Sequence, residues 1–243
     1  MGIFSRRKKA LKQTPEKPAH SETQSCALSI LKQTGFDPDV VVDVGANKGQ
    51  WTRGCRALFP DARYFLFEPQ TELRKEMSDL EQVENVLIKS MGLGSEPGVH
   101  AFTLHERDDS CSFAFSEAEA ESRNFRQIEL EIDTLDRLIA NGVLPAPDIL
   151  KIDVEGWDLE VLAGSEGTLP SVDVVFVEAC VCKKRTPNDL LTVLQYMDER
   201  GFSLVDFSDL NRPHQFKLLW LVEAMFIRRD CPTYKQIENY RPG

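Results

Sequence analysis

Two stretches of this chain gather ionisable residues where a strand should give way to a helix. The first is Asp43-Val44-Gly45-Ala46-Asn47-Lys48-Gly49. Its two glycines permit a tight turn and close approach of a ligand to the backbone. The spacing is Gly-x-x-x-Gly. It is neither the Gly-x-Gly-x-x-Gly of a dinucleotide loop nor the Gly-Lys-Ser/Thr of a phosphate loop. A carboxylate at Asp43 would repel a pyrophosphate and suits a positively charged ligand, such as the amino group and sulfonium of S-adenosylmethionine. Glu68 closes the next apolar run, 23 residues after Gly45. An acidic side chain there can accept both hydroxyls of an adenosine ribose. The structural alternative has Asp43 capping the next helix and Glu68 as a solvated strand end.

The second stretch is Lys151-Ile152-Asp153-Val154-Glu155-Gly156-Trp157. On an extended chain, Lys151, Asp153 and Glu155 share one face. Three ionisable groups at the end of a buried strand are costly unless paired or functional. Glu178, ending the next β-branched run, adds a carboxylate to the same rim. The structural alternative is an ion pair at Lys151 and a helix cap at Glu155. His105 and His214 stand in polar regions, as alternative bases or as solvated side chains. None of the six cysteines forms a Cys-x-x-Cys pair, which argues against a zinc site and a disulfide scaffold.

These residues need strand ends to stand on. The runs 40–45, 64–69, 86–88, 149–154, 174–178, 202–207 and 218–227 read as strands. Between them, 50–58, 71–79 (with Thr71 as cap), 159–163 and 188–200 read as helices, and 25–33 as a helix before the first strand. This alternation predicts an α/β fold: a Rossmann-like, doubly wound, mostly parallel sheet. The last two strands have no helix between them and should pair antiparallel. Region 95–135 breaks the rhythm. There 99–104 and 128–132 alternate like half-exposed strands, an insertion of a hairpin with a long polar loop.

The chain has 243 residues, 29 basic and 39 acidic, for a net charge of −10. That balance argues against nucleic-acid partners, which need a positive surface. Residues 1–22 form a basic arm, with Arg6, Arg7, Lys8, Lys9, Lys12 and Lys17 against Glu16 in the first twenty. The arm is either a solubilising tail or a contact for anionic membrane. The domain is expected over 23–230, with a tail at 231–243. No apolar stretch follows the basic start, and the apolar run at 218–227 holds Glu223 and is too short to span a membrane. The expected location is cytoplasmic, with reduced thiols.

Asp43-Val-Gly-Ala-Asn-Lys-Gly49, Phe67-Glu68-Pro69, Thr134-Leu135-Asp136, and Lys151-Ile-Asp-Val-Glu-Gly156 followed by Leu159-Glu-Val-Leu-Ala-Gly164 closely resemble the FkbM-type methyltransferases. The resemblance covers roughly residues 38–228. It implies a class I, S-adenosylmethionine-dependent O-methyltransferase on a seven-stranded sheet whose last strand is antiparallel. It implies that Asp43, Gly45, Asn47 and Gly49 line the methionine end of the cofactor. Glu68 would hold the ribose, and Ser90 and Met91 would lie near the adenine. Asp153 and Glu155 match the motif near the transferred methyl. The resemblance also implies methylation of a hydroxyl, often on a sugar of a polysaccharide, glycolipid or glycosylated natural product. Trp157 and Glu223 depart from the small or acidic residue and the Asp expected at their positions.

Methyl transfer to a hydroxyl requires in-line alignment and removal of the hydroxyl proton. Asp153 is the expected base or orienting group, tuned by Lys151, Glu155 and Glu178. A variant has Asp153 and Glu178 holding Mg²⁺, which would lower the hydroxyl pKa. The insertion, with Ser110, Ser112, Phe113 and Phe115, is either an acceptor wall or a solvated loop. Phe113, Phe115 and Trp157 are candidates for stacking on a sugar. Alternatives are a non-sugar hydroxyl as acceptor, a non-catalytic binding protein of the same fold, and a nicotinamide oxidoreductase.

Overall fold

The computed structural model describes residues 22–182, 188–212 and 218–239. His214 and all of the basic arm before Glu22 lie outside them. The chain opens with α1 (Glu22–Gln33), β1 (Val40–Val44), α2 (Gln50–Leu58) and β2 (Arg63–Phe67). A 3-10 turn over Thr71–Met77 runs into α3 (Ser78–Glu81), and β3 (Val86–Lys89) follows. The insertion holds β4 (Gly92–Leu93), β5 (Gly98–Leu104), α4 (Glu117–Ser122) and β6 (Arg126–Asp133). Next come α5 (Leu135–Ala140), β7 (Ile149–Ile152), α6 (Asp158–Ala163), β8 (Val174–Cys180) and α7 (Leu190–Glu199). The chain closes with β9 (Phe202–Asn211), β10 (Leu221–Arg228) and α8 (Pro232–Glu238).

Seven strands form one sheet in the order β3-β2-β1-β7-β8-β10-β9. All neighbours pair parallel except β10, which runs antiparallel to β8 and β9. This is the doubly wound, Rossmann-like sheet expected from the pattern of runs. Every residue of β1 and β7 is buried because packed layers cover both faces. The period of two sorts their side chains. Val42, Val44, Leu150 and Ile152 enter one core cluster, and Val41 and Ile149 enter the other. Strand order reverses at the β1–β7 pair, and ligands of such sheets bind beyond the carboxyl ends at that point.

The insertion differs from a bare hairpin and loop. The β4 strand joins β6 in parallel opposite β5, making a three-stranded sheet. Ser116 and Glu119 form a reciprocal capping box that starts α4. This Ser-x-x-Glu signal is present in the sequence. The 71–79 segment begins as a 3-10 turn, with Thr71 as its first residue rather than its cap. Within 231–243, Thr233 of α8 is buried, and Tyr234 and Ile237 pack on the second core cluster. Among the described residues no helix is long and apolar enough to cross a membrane.

Candidate active site

After β1 the chain turns sharply, with left-handed backbone at Gly45 (φ 79°), Asn47 (φ 48°) and Gly49 (φ 72°). Gly45 has no substitute. A Cβ there would stand 1.9 Å from the carbonyl oxygen of Asp153. The loops after β1 and β7 therefore meet backbone to backbone. The Gly45 and Ala46 amides also donate to the Phe67 carbonyl, at 2.9 and 3.1 Å.

Glu68 is buried at the end of β2, not solvated. Its Oε2 accepts from the Asn47 amide at 2.8 Å, and its Oε1 from the Gln70 amide at 2.9 Å. Burial raises its pKa against the lowering effect of those two bonds. The bonds fix the carboxylate plane, and each oxygen keeps capacity for a further donor. A vicinal diol is the matching pair of donors.

Asp43 is fully buried and does not cap α2, whose N-cap is Gly49. Its Oδ2 accepts from the Thr52 hydroxyl at 2.6 Å, and its Oδ1 lies 3.3 Å from Lys151 Nζ. The same ammonium lies 3.4 Å from Asp153 Oδ2 and donates to the Gly45 carbonyl at 3.3 Å. Burial alone would lower the Lys151 pKa. The carboxylates of Asp43, Asp153 and Glu223 outweigh it and raise the pKa instead. Lys151 is thus a fixed cation between a closed carboxylate and an open one, the Asp153 side chain being 32% exposed. Asp43 presents no unmatched charge to a ligand; it anchors the cation behind Asp153.

The β7 strand stops at Ile152, so the shared face of Lys151, Asp153 and Glu155 ends there. Lys151 and Asp153 do meet. Glu155 reaches the rim through a left-handed turn (φ 54°), a conformation costing about 1–3 kcal/mol outside glycine. Glu155 is not the cap of α6, whose N-cap position is Trp157. One carboxylate oxygen each from Asp153, Glu155 and Glu178 fits within a 4.8 Å cluster. Glu223 of β10 pairs in register with Glu178. Ser90 and Met91 follow β3, one strand beyond Glu68. Ser90 Oγ accepts from Arg74 Nη1 at 3.2 Å, and Met91 packs on the first core cluster.

The insertion reaches both loops. Asp108 pairs with Lys48 at 2.8 Å, and its carbonyl accepts from Gln70 Nε2 at 3.0 Å. The Ser112 hydroxyl donates to the Glu155 carbonyl at 2.9 Å. A cavity of about 460 Å³ lies between the 45–49 loop, the 71–77 turn and the insertion, with Lys48, Gln70, Leu73 and His105 in its lining. His105 Nδ1 accepts from the Arg107 amide at 3.2 Å, and its ring meets Phe125 edge-on. Phe113 is not available for stacking. It is buried against Phe102 and Trp157, inside the small sheet's core. Trp157 is half-buried, between Phe113 and His100.

Asp158, absent from the sequence-derived site, is fully buried behind the rim. Burial and the nearby charge of Asp153 push its pKa up to about 8 from an ordinary 3.8. The unfolded chain therefore ionises this group several pH units before the folded one does. Between about pH 4 and pH 8 the native state binds the extra proton, so this group's contribution to stability falls as pH rises. Urea titrations across the window should show the native sequence losing stability relative to Asp158→Asn as pH rises.

A buried carboxylate poised for a diol, a glycine turn at the switch point and an open carboxylate against that turn fit a cofactor that joins adenosine to a cationic methyl donor. On this sheet they define a class I, S-adenosylmethionine-dependent methyltransferase. The chain belongs to the methyltransferase FkbM domain family, whose model matches residues 43–204. It is 30% identical over 195 residues to the hexuronic acid methyltransferase AglP of Haloferax volcanii, covering 78% of this chain and 73% of that protein. It is 23% identical over 188 residues to methyltransferase 1 of Beauveria bassiana, covering 69% and 74%. The solved structure of cofactor-bound Rv0187 from MTB shares the fold, with a TM-score of 0.52 and 13% identity over 90% of this chain and 85% of that one. The nicotinamide oxidoreductase alternative falls with this membership.

Proposed function

We propose that the protein methylates a hydroxyl of a sugar, with a uronic-acid-containing glycan as acceptor. The observation that carries the reading is Asp153: open to solvent, in backbone contact with Gly45, and held by Lys151 through one oxygen. Its similarity to a hexuronic acid methyltransferase supports the choice of glycan. When bound, S-adenosylmethionine supplies an electrophilic methyl on a sulfonium. The chain's own part is to hold and deprotonate. The 45–49 turn and Glu68 set the cofactor's position, and Asp153 Oδ1 takes the proton of the acceptor hydroxyl. Lys151 holds Oδ2 and stabilises the ionised carboxylate. Glu155 and Glu178 accept hydrogen bonds from neighbouring hydroxyls.

A hexuronic acid offers two kinds of oxygen, hydroxyl and carboxylate. A carboxylate needs no base and would be repelled by the three rim carboxylates, so the hydroxyl is favoured. The test is methyl transfer to hexuronate-containing oligosaccharides, followed by mild alkaline treatment of the product. An alkali-stable ether is expected. An alkali-labile ester, or transfer only to non-sugar hydroxyls, would overturn the reading.

The Asp153–Glu155–Glu178 cluster favours a second reading, with a hard cation such as Mg²⁺ held there to acidify the hydroxyl. Turnover should survive exhaustive chelation if Asp153 is the base. Loss on chelation with recovery on adding Mg²⁺ would make Asp153 a ligand instead.

A further inference from the structure

We propose that Asp158 and Asn188 form a buried clamp that positions the catalytic turn, holding Asp153 and Glu155 in place relative to Glu178. Asp158 Oδ1 accepts from the Val154 amide at 3.3 Å, and its Oδ2 from the Gly156 amide at 3.1 Å. These two amides flank Glu155, the residue in the left-handed conformation. A strained non-glycine residue persists only where its surroundings over-determine it. Here both neighbouring amides are tied to one carboxyl, while Ser112 ties the Glu155 carbonyl from the other side.

Asn188 extends the clamp to the next strand. Its Nδ2 donates to Asp158 Oδ2 at 2.8 Å and to the Glu178 carbonyl at 3.0 Å. Four polar bonds thus connect the turn after β7 to the end of β8, through two residues that are essentially closed to solvent. Both are closed to solvent and so out of an acceptor's reach; neither is a catalytic residue. Both act through the geometry of the rim. A carboxyl in so dry a place is costly unless its bonds compensate, and here three donors converge on it.

The kinetic arm of the test rests on the glycan reading; the exchange arm does not. Amide hydrogen exchange at 154–156, S-adenosylmethionine affinity and methyl transfer are compared for wild type, Asp158→Ala, Asp158→Asn and Asn188→Ala. Losing the acceptor should speed exchange of the Val154 and Gly156 amides by about tenfold or more in Asp158→Ala. Exchange in β7 and β8 should change little. Turnover should fall about 100-fold, the expected cost of a misplacement near 1 Å, with cofactor affinity within about threefold of wild type. Asp158→Asn keeps one acceptor oxygen and remains a close isostere if the alanine variant fails to fold; it should show an intermediate loss. Unchanged exchange at Gly156 in a folded variant overturns the clamp. So does a loss confined to cofactor affinity. A wild-type enzyme inactive on hexuronates indicts the acceptor instead, and the exchange data still decide the clamp.

Discussion

Replacing Asp153 with asparagine is expected to lower turnover by about 100- to 10,000-fold, the range set by removal of a general base. Affinity for S-adenosylmethionine should move by less than about threefold, because the groups around Glu68 and the 45–49 turn are untouched. The fold should survive. Asp43 still neutralises Lys151 at 3.3 Å, and Asp153 is partly exposed, so the lost pair at 3.4 Å is the weaker partner of the ammonium. Asparagine keeps an oxygen to face Lys151 but cannot accept the hydroxyl proton. Steady-state kinetics and calorimetric cofactor titration of the same preparation separate the two effects. Near-native turnover in a protein that binds cofactor would remove Asp153 from the role of base and leave Glu155 and Glu178 as the groups to test.

The largest effect on stability is expected from Lys151→Met. The methionine fills similar space, yet it leaves Asp43 fully buried with only the Thr52 hydroxyl as partner. Breaking a buried pair by removing one member typically costs about 3–5 kcal/mol, because the remaining charge is uncompensated. Asp43→Asn introduced into the same chain should recover much of that loss, since the double variant buries no charge at this point. Urea unfolding of the four proteins, wild type, two single variants and the double, measures the coupling. A Lys151→Met variant within 1 kcal/mol of wild type would show that Asp43 takes up a proton at little expense, and the fixed cation would lose its structural rationale.

The sheet is legible because its strands are short, mostly apolar runs, such as Val40 to Val44 with Asp43 its only polar residue, that end in Gly or before Pro. Both core faces follow from the period of two within them. Glu68 and Lys151 are legible for the same reason: a charged residue at the end of such a run stands out. Four features are hidden, each for a physical cause. Asp43 reads as a ligand-facing carboxylate because a sequence shows the charge but not that Lys151 already matches it from the neighbouring strand. Asp158 reads as an ordinary first-turn acid of a helix. Its partners, the Val154 and Gly156 amides, belong to a turn whose left-handed residue is a glutamate, and nothing in the residue types announces that turn. Asp108 and Ser112 bridge to loops about 40 to 60 residues away, and contacts of that range leave no local pattern. The third strand of the insertion is only two residues long, too short for any periodicity to register.

The touch between Gly45 and the carbonyl of Asp153 constrains how such an enzyme can change its taste over evolution. The 45–49 turn and the turn after β7 are packed main chain against main chain, so neither can be reshaped alone by exchanging side chains. The insertion is fastened differently, through the side chains of Lys48, Gln70 and Ser112, which single substitutions can loosen or redraw. Residues 95–135 are therefore expected to vary more freely than the two turns, which descend unchanged as one inherited part.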